Sequence, residues 1–171
     1  MPQPSSVTVF HLEMNERDAF RPSRVRPGFD VVIVDPPDSE LNCRFYRAVG
    51  AQWEWNDRLD WSEDSWLSYV TRNEIRTYVG QLDGIDVGYF ELEAQEGGNM
   101  EIVYFGLLPE YIGQGLGGVL LSAAIARAWE FSSTKRICVH TCTHDHKQAL
   151  DNYRLRGFEV FRTDREPFTA D

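Results

Sequence analysis

The stretch from Glu101 to Phe131 constrains the fold of this chain more than any other. β-Branched and aromatic residues from Ile102 to Phe105 read as a strand, and Pro109 blocks further ladder pairing. From Leu116 onward apolar residues recur at helical spacing, at Leu120, Leu121, Ala124, Ile125 and Ala128. The order is strand, glycine loop, helix. Gly113, Gly115, Gly117 and Gly118 therefore fall at a helix N-terminus, where the first amides have no intrahelical partner and the helix dipole is positive. Main chain placed in this way closes on a phosphate when no β-carbon intervenes. The same glycines also suit tight packing of a helix on a sheet. A Walker loop is excluded because no Gly-Lys-Ser/Thr follows, and a Rossmann loop is excluded by the glycine spacing.

With 171 residues, 42% hydrophobic and 13% aromatic, the chain can bury one core and is too short for two ordinary domains. A single domain over residues 1–171 is expected, with residues 1–28 forming an N-terminal strand and an irregular arm. No run reaches transmembrane length, and Met1-Pro2-Gln3-Pro4 carries neither a basic nor an apolar region. The expectation is a cytoplasmic protein with no membrane partner. Cys43, Cys138 and Cys142 read as reduced thiols, since the last two share one face of a predicted strand but lie too far apart to bridge. A net charge of -10 argues against nucleic acid, whose phosphates need a basic face. The acidic excess lies in residues 1–120, ahead of a near-neutral remainder. Such an arrangement steers a cationic amine inward or simply keeps the chain soluble.

In chain order, Val7 to Leu12 is a short strand, and the polar stretch from Asn15 to Gly28 has no periodicity. Phe29 to Val34 is a second strand, ended by Asp35-Pro36-Pro37, and Ser39 begins a helix through Phe45, Tyr46 and Val49. Trp53, Trp55, Trp61 and Trp66 follow among Glu54, Asp57, Arg58, Asp60, Glu63 and Asp64, with a short helix from Ser62 to Val70. Two readings stay open there: the aromatics roof a small core, or they form an aromatic and acidic acceptor pocket. Glu74 to Gln81 and Val87 to Glu93 read as strands joined by a tight turn at Leu82-Asp83-Gly84, and Gln95 to Asn99 turns the chain into the central strand. Arg136 to Thr141 is a strand. Asp145-His146-Lys147-Gln148 has the form of a capping box, opening a helix that runs to Arg156 and ends at Gly157. Phe158 to Arg162 closes as a strand.

Three groups of residues could carry chemistry. Glu101 starts the central strand and by strict alternation shares a face with Val103, Phe105 and Leu107; a carboxylate there can also be merely solvated. Ala149 and Tyr153, four apart, lie on one helix face, where the tyrosine can simply pack its ring on the sheet. His140, His144 and His146 with Cys138, Cys142 and Asp145 are metal-ligand types, but their spacings match no zinc pattern. They are expected to flank the end of the strand near a cofactor channel, and no metal is expected.

The strand–loop–helix stretch resembles motif A of the GNAT superfamily of acyl-CoA-dependent N-acetyltransferases. Its loop reads Gln/Arg-x-x-Gly-x-Gly/Ala, and Ile112, Gly115 and Gly117 fall on the three motif positions, with Ile112 where the family usually has Gln or Arg. Ala149, Tyr153, Gly157 and Phe158 resemble motif B, with His146 where the family often has Asn. The resemblance covers roughly Glu74 to Arg162. It implies an α/β (α+β) GNAT fold: a mixed, mostly antiparallel sheet with splayed central strands, flanked by helices. It further implies that acetyl-CoA is the co-substrate, held by Phe105, Leu107, Ile112, Gly113, Gln114, Gly115, Leu116, Gly117, Gly118 and Asn152. Glu101 would be the general base, at the motif spacing from Ile112. Tyr153 would protonate the departing thiolate, and the amide of a residue such as Leu107 would polarise the thioester carbonyl. The implied activity is direct transfer of an acetyl group to a primary amine of a small molecule or amino acid in a ternary complex; a homodimer is compatible with it. The competing readings are a noncatalytic acyl-CoA-binding regulatory module and a structural domain with no cofactor.

Overall fold

Among the described residues, seven strands and four α-helices follow one another much as their apolar patterns dictate. A computed structural model describes residues 6–167; Met1 to Pro4, read above for targeting signals, lie outside the described residues. The elements are β1 (Ser6–Met14), a 3-10 turn at Arg17–Ala19, β2 (Phe29–Ile33), α1 (Ser39–Gly50), α2 (Glu63–Val70), β3 (Ile75–Leu82), β4 (Ile85–Ala94), β5 (Asn99–Leu107), α3 (Leu116–Glu130), β6 (Arg136–Cys142), α4 (Ala149–Leu155) and β7 (Glu159–Pro167). Local chemistry sets several of the boundaries. Asp38 accepts a hydrogen bond from the Leu41 amide at 3.0 Å to start α1, and Ser62 accepts one from the Ser65 amide at 3.1 Å to start α2. Asp83 and Gly84, both at positive φ, turn β3 into β4.

The strands form one sheet in the order β2-β3-β4-β5-β6-β1-β7, in which only β5 and β6 run parallel. They are linked by the crossover through α3, as a parallel pair requires. The N-terminal strand does not start the sheet; it is inserted between β6 and β7, antiparallel to both, with His11 opposite His140 and Arg162. The arm after it docks on the helices: Arg21 donates its amide to the Arg156 carbonyl at 2.9 Å, and the Ser23 amide reaches the Ser122 hydroxyl at 2.9 Å.

α3 is the core helix, with Leu116, Leu120, Leu121, Ala124, Ile125 and Ala128 all buried against the sheet. It approaches closely because Gly80 and Gly88 face each other on β3 and β4. A β-carbon on either would stand 2.7 or 3.0 Å from a Leu120 methyl, so the pair forms a notch for that side chain.

Two expectations are corrected. The capping box does not form: α4 begins only at Ala149. Asp145 instead accepts from the Thr141 hydroxyl at 2.5 Å and the Cys142 amide at 3.0 Å, so its carboxylate is committed to the end of β6. The strict alternation assumed for Glu101 also fails. Leu92 pairs with Ile102 but Glu91 with Tyr104, leaving Val103 as a β-bulge. The extra residue reverses the alternation, so Glu101 shares its face with Tyr104, while Phe105 and Leu107 join Ile102 on the α3 side.

Under α1 and α2 lies a buried ion pair that the sequence did not announce. Arg58 and Glu91 are 5% and 0% exposed and 3.1 Å apart. Glu91 also accepts from Asn42 at 2.9 Å and Tyr69 at 2.9 Å. The guanidinium lies 4.0 Å from the centre of the Tyr69 ring, 4.4 Å from Tyr104 and 4.7 Å from Trp61, an aromatic box that compensates its desolvation. Trp61 and Trp66 therefore enclose a cation of the chain itself. Removing one partner strands the other charge, so Glu91→Ala should destabilise the fold by about 3–5 kcal/mol in urea unfolding, and Arg58→Met/Glu91→Leu should recover much of that loss.

Candidate functional site

The site is generated by the point at which β5 and β6 part. Their parallel pairing covers Asn99 to Glu101 and stops. Beyond it the Leu108 amide bonds to the Val87 carbonyl at 2.8 Å. In an antiparallel pair bonded positions alternate, so the main-chain groups of Leu107 and Phe105 turn from β4 toward the side that β6 has vacated. A cleft of about 960 Å³ occupies the gap, lined among others by Phe105, Leu107, His140, Cys142 and Tyr153.

On the α3 side the cleft runs to the glycine loop. Gly113 and Gly115 adopt φ of 84° and 77°, which glycine alone holds without strain, and a β-carbon at either would meet nothing within 4 Å. Gly115 is the N-cap of α3 and supplies no side-chain cap, so the first-turn amides stay available. Ile112, Gly113, Gly115, Leu116, Gly117, Gly118 and Asn152 all line the cleft. Gln114 does not; its side chain turns back to the Glu110 carbonyl at 3.0 Å, while its own carbonyl accepts from Arg26 at 3.2 Å. The docked arm thereby sets a cation beside the loop. The uncapped helix start, the open glycines and the unpaired strand edge fit an elongated ligand with a phosphate at one end and amides along its length.

Tyr153 lies on the same side, 7% exposed and flanked by Phe105 and Phe158. Among the described residues its hydroxyl has no hydrogen-bond partner. Burial, and then the Asp145 carboxylate, push its pKa well above the phenol range, so the group remains a proton donor at neutral pH.

The other face holds a polar wall. Trp53, Glu54, Trp55 and Asp57 line it from the α1–α2 loop, so the aromatic cluster divides: these two tryptophans face the cleft, while Trp61 and Trp66 enclose Arg58. The loop reaches across to the β6–α4 connection, with Glu54 3.3 Å from His144 and Trp53 edge-on to His146 at 5.4 Å. The Tyr104 hydroxyl donates to Asp57 at 3.0 Å. Glu101 sits at the closed end of the split and is absent from the cleft wall. Gln95 donates to it at 2.9 Å, and His140 Nδ1 lies 3.6 Å away. The Glu101 contact raises the His140 pKa against the opposing effect of burial, and Asp145 and Asp57 add to the rise. His140 and Cys142 line the cleft.

Sequence reasoning missed the contribution of β1 and β7. His11, Arg162 and Asp164 line the same wall and form a cluster, with Asp164 2.9 Å from His11 and 3.1 Å from Arg162. Only the insertion of β1 between β6 and β7 brings them there. Among the described residues no group of three His, Cys, Asp or Glu is placed to hold a metal ion, and no helix is long and apolar enough to cross a membrane.

The family model of the GNAT acetyltransferases matches residues 38–158. The chain belongs to the GNAT acetyltransferase family. Solved structures are similar in fold. A GCN5-related N-acetyltransferase from Kribbella flavida is 18% identical, with a TM-score of 0.66 over 91% of this chain and 55% of its own. Another from Sphaerobacter thermophilus is 17% identical, with a TM-score of 0.68 over 92% and 49%. An aminoglycoside acetyltransferase from an uncultured soil metagenomic sample, in complex with sisomicin, is 17% identical, with a TM-score of 0.61 over 74% and 86%. This GNAT chain spans about half the length of the first two. No curated protein matches the sequence.

Tyr69, Tyr89, Tyr104 and Tyr153 are each raised chiefly by burial. A phenol whose folded pKa exceeds its unfolded value contributes stability below the unfolded value, near 10, that is lost as pH rises through the folded one. Ultraviolet titration of the native protein should therefore find these tyrosines silent near pH 10, ionising together as the fold is lost at higher pH.

Proposed function

We propose that this protein transfers the acetyl group of acetyl-CoA to a primary amine of a small molecule or amino acid, by direct attack in a ternary complex within one domain spanning residues 1–171. One observation carries the reading: the β5–β6 ladder opens immediately after Glu101, and the strand edge it frees at Phe105 and Leu107 leads to the uncapped, open glycine loop. Acetyl-CoA, when bound, supplies an activated acetyl thioester. The loop amides from Gly113 to Gly118 hold its pyrophosphate, with Arg26 adding a positive charge and Asn152 lying beside Gly117. Phe105 and Leu107 pair with its amides through their main chain, and the Leu107 amide donates to the oxygen on which negative charge develops.

Tyr153 holds its proton beside the cleft and gives it to the departing sulfur. The acceptor enters along Trp53, Glu54, Trp55 and Asp57, whose carboxylates and ring faces suit a cationic amine. A cytoplasmic setting, in which the free thiols of Cys43, Cys138 and Cys142 stay reduced, accords with this chemistry.

The test is thiol release from acetyl-CoA against a panel of amines. The wild type should release thiol with at least one amine, and Tyr153→Phe should lower kcat at least ~10-fold while leaving acetyl-CoA affinity within about twofold. Tight acetyl-CoA binding without thiol release for any amine would instead favour the noncatalytic acyl-CoA-binding module.

A further inference from the structure

The proton released by the incoming amine needs an acceptor inside the cleft, and Glu101, the family-type candidate, does not line it. His140 does. It projects from β6 onto the face it shares with Tyr104 and Cys142, with its side chain 53% exposed against 22% for Glu101. Its Nδ1 is the ring nitrogen near Glu101, at 3.6 Å. A proton on Nδ1, facing the carboxylate, leaves the lone pair on Nε2.

The other histidines are committed elsewhere. His11 Nε2 is engaged by Asp164 at 2.9 Å and Arg162 at 3.1 Å. His146 Nδ1 accepts from the Gln148 amide at 3.1 Å while its ring packs on Trp53. His144 pairs with Glu54 and is absent from the cleft wall.

We propose that His140 is the proton acceptor for the substrate amine and that Glu101 is the residue that positions it. The proposal rests on the transferase reading and names the base within it. His140 Nε2 takes one proton from the ammonium. The freed nitrogen lone pair forms the N–C bond as the C–S bond breaks, the second nitrogen proton passes to the sulfur by way of Tyr153, and His140 returns its proton to water. Charge balances, because one ammonium and one thioester become one amide, one thiol and one released proton.

The charged groups facing the imidazole are Glu101 on β5, Asp57 on the α1–α2 loop and Asp145 after β6, and the titratable side chains of Tyr104 on β5 and Cys142 on β6 share its face. The His11 ring on β1 lies tilted at 5.9 Å, backed by Arg162 and Asp164 on β7. The carboxylates favour the imidazolium, so activity should fall on the acid side as His140 protonates.

Two measurements test this. In the free protein, the His140 ring followed by NMR should titrate above 6.5, the ordinary histidine value, and Glu101→Gln should move that titration down. In the pH profile of kcat/KM, His140→Gln should abolish the acid limb and lower the pH 7 rate by ~100-fold or more with acetyl-CoA affinity unchanged, whereas Glu101→Gln should only displace the limb to lower pH. An acid limb that survives His140→Gln but disappears in Glu101→Gln would make the carboxylate the base and overturn the proposal alone. So would a His140 titration indifferent to Glu101→Gln. No thiol release by the wild type with any amine would overturn the transferase reading, and the proposal with it.

Discussion

The structure turns on a ladder that stops. β5 and β6 are paired over three consecutive positions, Asn99 to Glu101, and then separate, although both continue for several residues. The bulge at Val103 bends and twists β5 just past the separation. On the far side β6 is held by β1 over the whole run from Val9 to Met14. One strand curves while the other is pinned, and the sheet opens between them. An open edge in the middle of a sheet costs unsatisfied donors and acceptors, and an elongated ligand that brings its own amides would satisfy them.

Rigidity on the two sides of the opening comes from different chemistry. On the α3 side it is apolar, with Leu120 seated against Gly80 and Gly88 and the helix start fixed over the cleft. On the opposite side it is polar. The Arg58–Glu91 pair ties the α1–α2 connection to β4, and its aromatic box includes Tyr104, whose hydroxyl in turn holds Asp57 at the cleft. A charge buried under α1 and α2 thereby fixes one wall of the cleft through Tyr104 and Asp57.

The fold was largely legible in the sequence because its signals are local: the helix starts at Ser39 and Ser62, the Leu82-Asp83-Gly84 turn between β3 and β4, and the period of α3. The family resemblance rested on the same locality, since motif A is one strand, one loop and one helix. What failed was non-local or depended on a single residue. A bulge adds one residue without changing composition, so the alternation that put Glu101 beside Phe105 had no warning in the letters. The Asp145 carboxylate had two competing uses, capping a helix or closing β6, and the Thr141 hydroxyl decided for the second. The place of β1 follows from pairing with strands more than a hundred residues away, and with it the presence of His11 at the cleft. Nor could four tryptophans in one segment reveal that two would enclose Arg58 and two would face the cleft.

The most direct measurement of the central claim is amide-resolved NMR of the protein during titration with CoA. The amides of Phe105 and Leu107 and those from Gly113 to Gly118 should shift together along one binding curve, while the β2–β3 edge stays still. Perturbations confined to other surfaces, or none at millimolar CoA, would contradict the assignment of the β5–β6 opening as the acyl-CoA site.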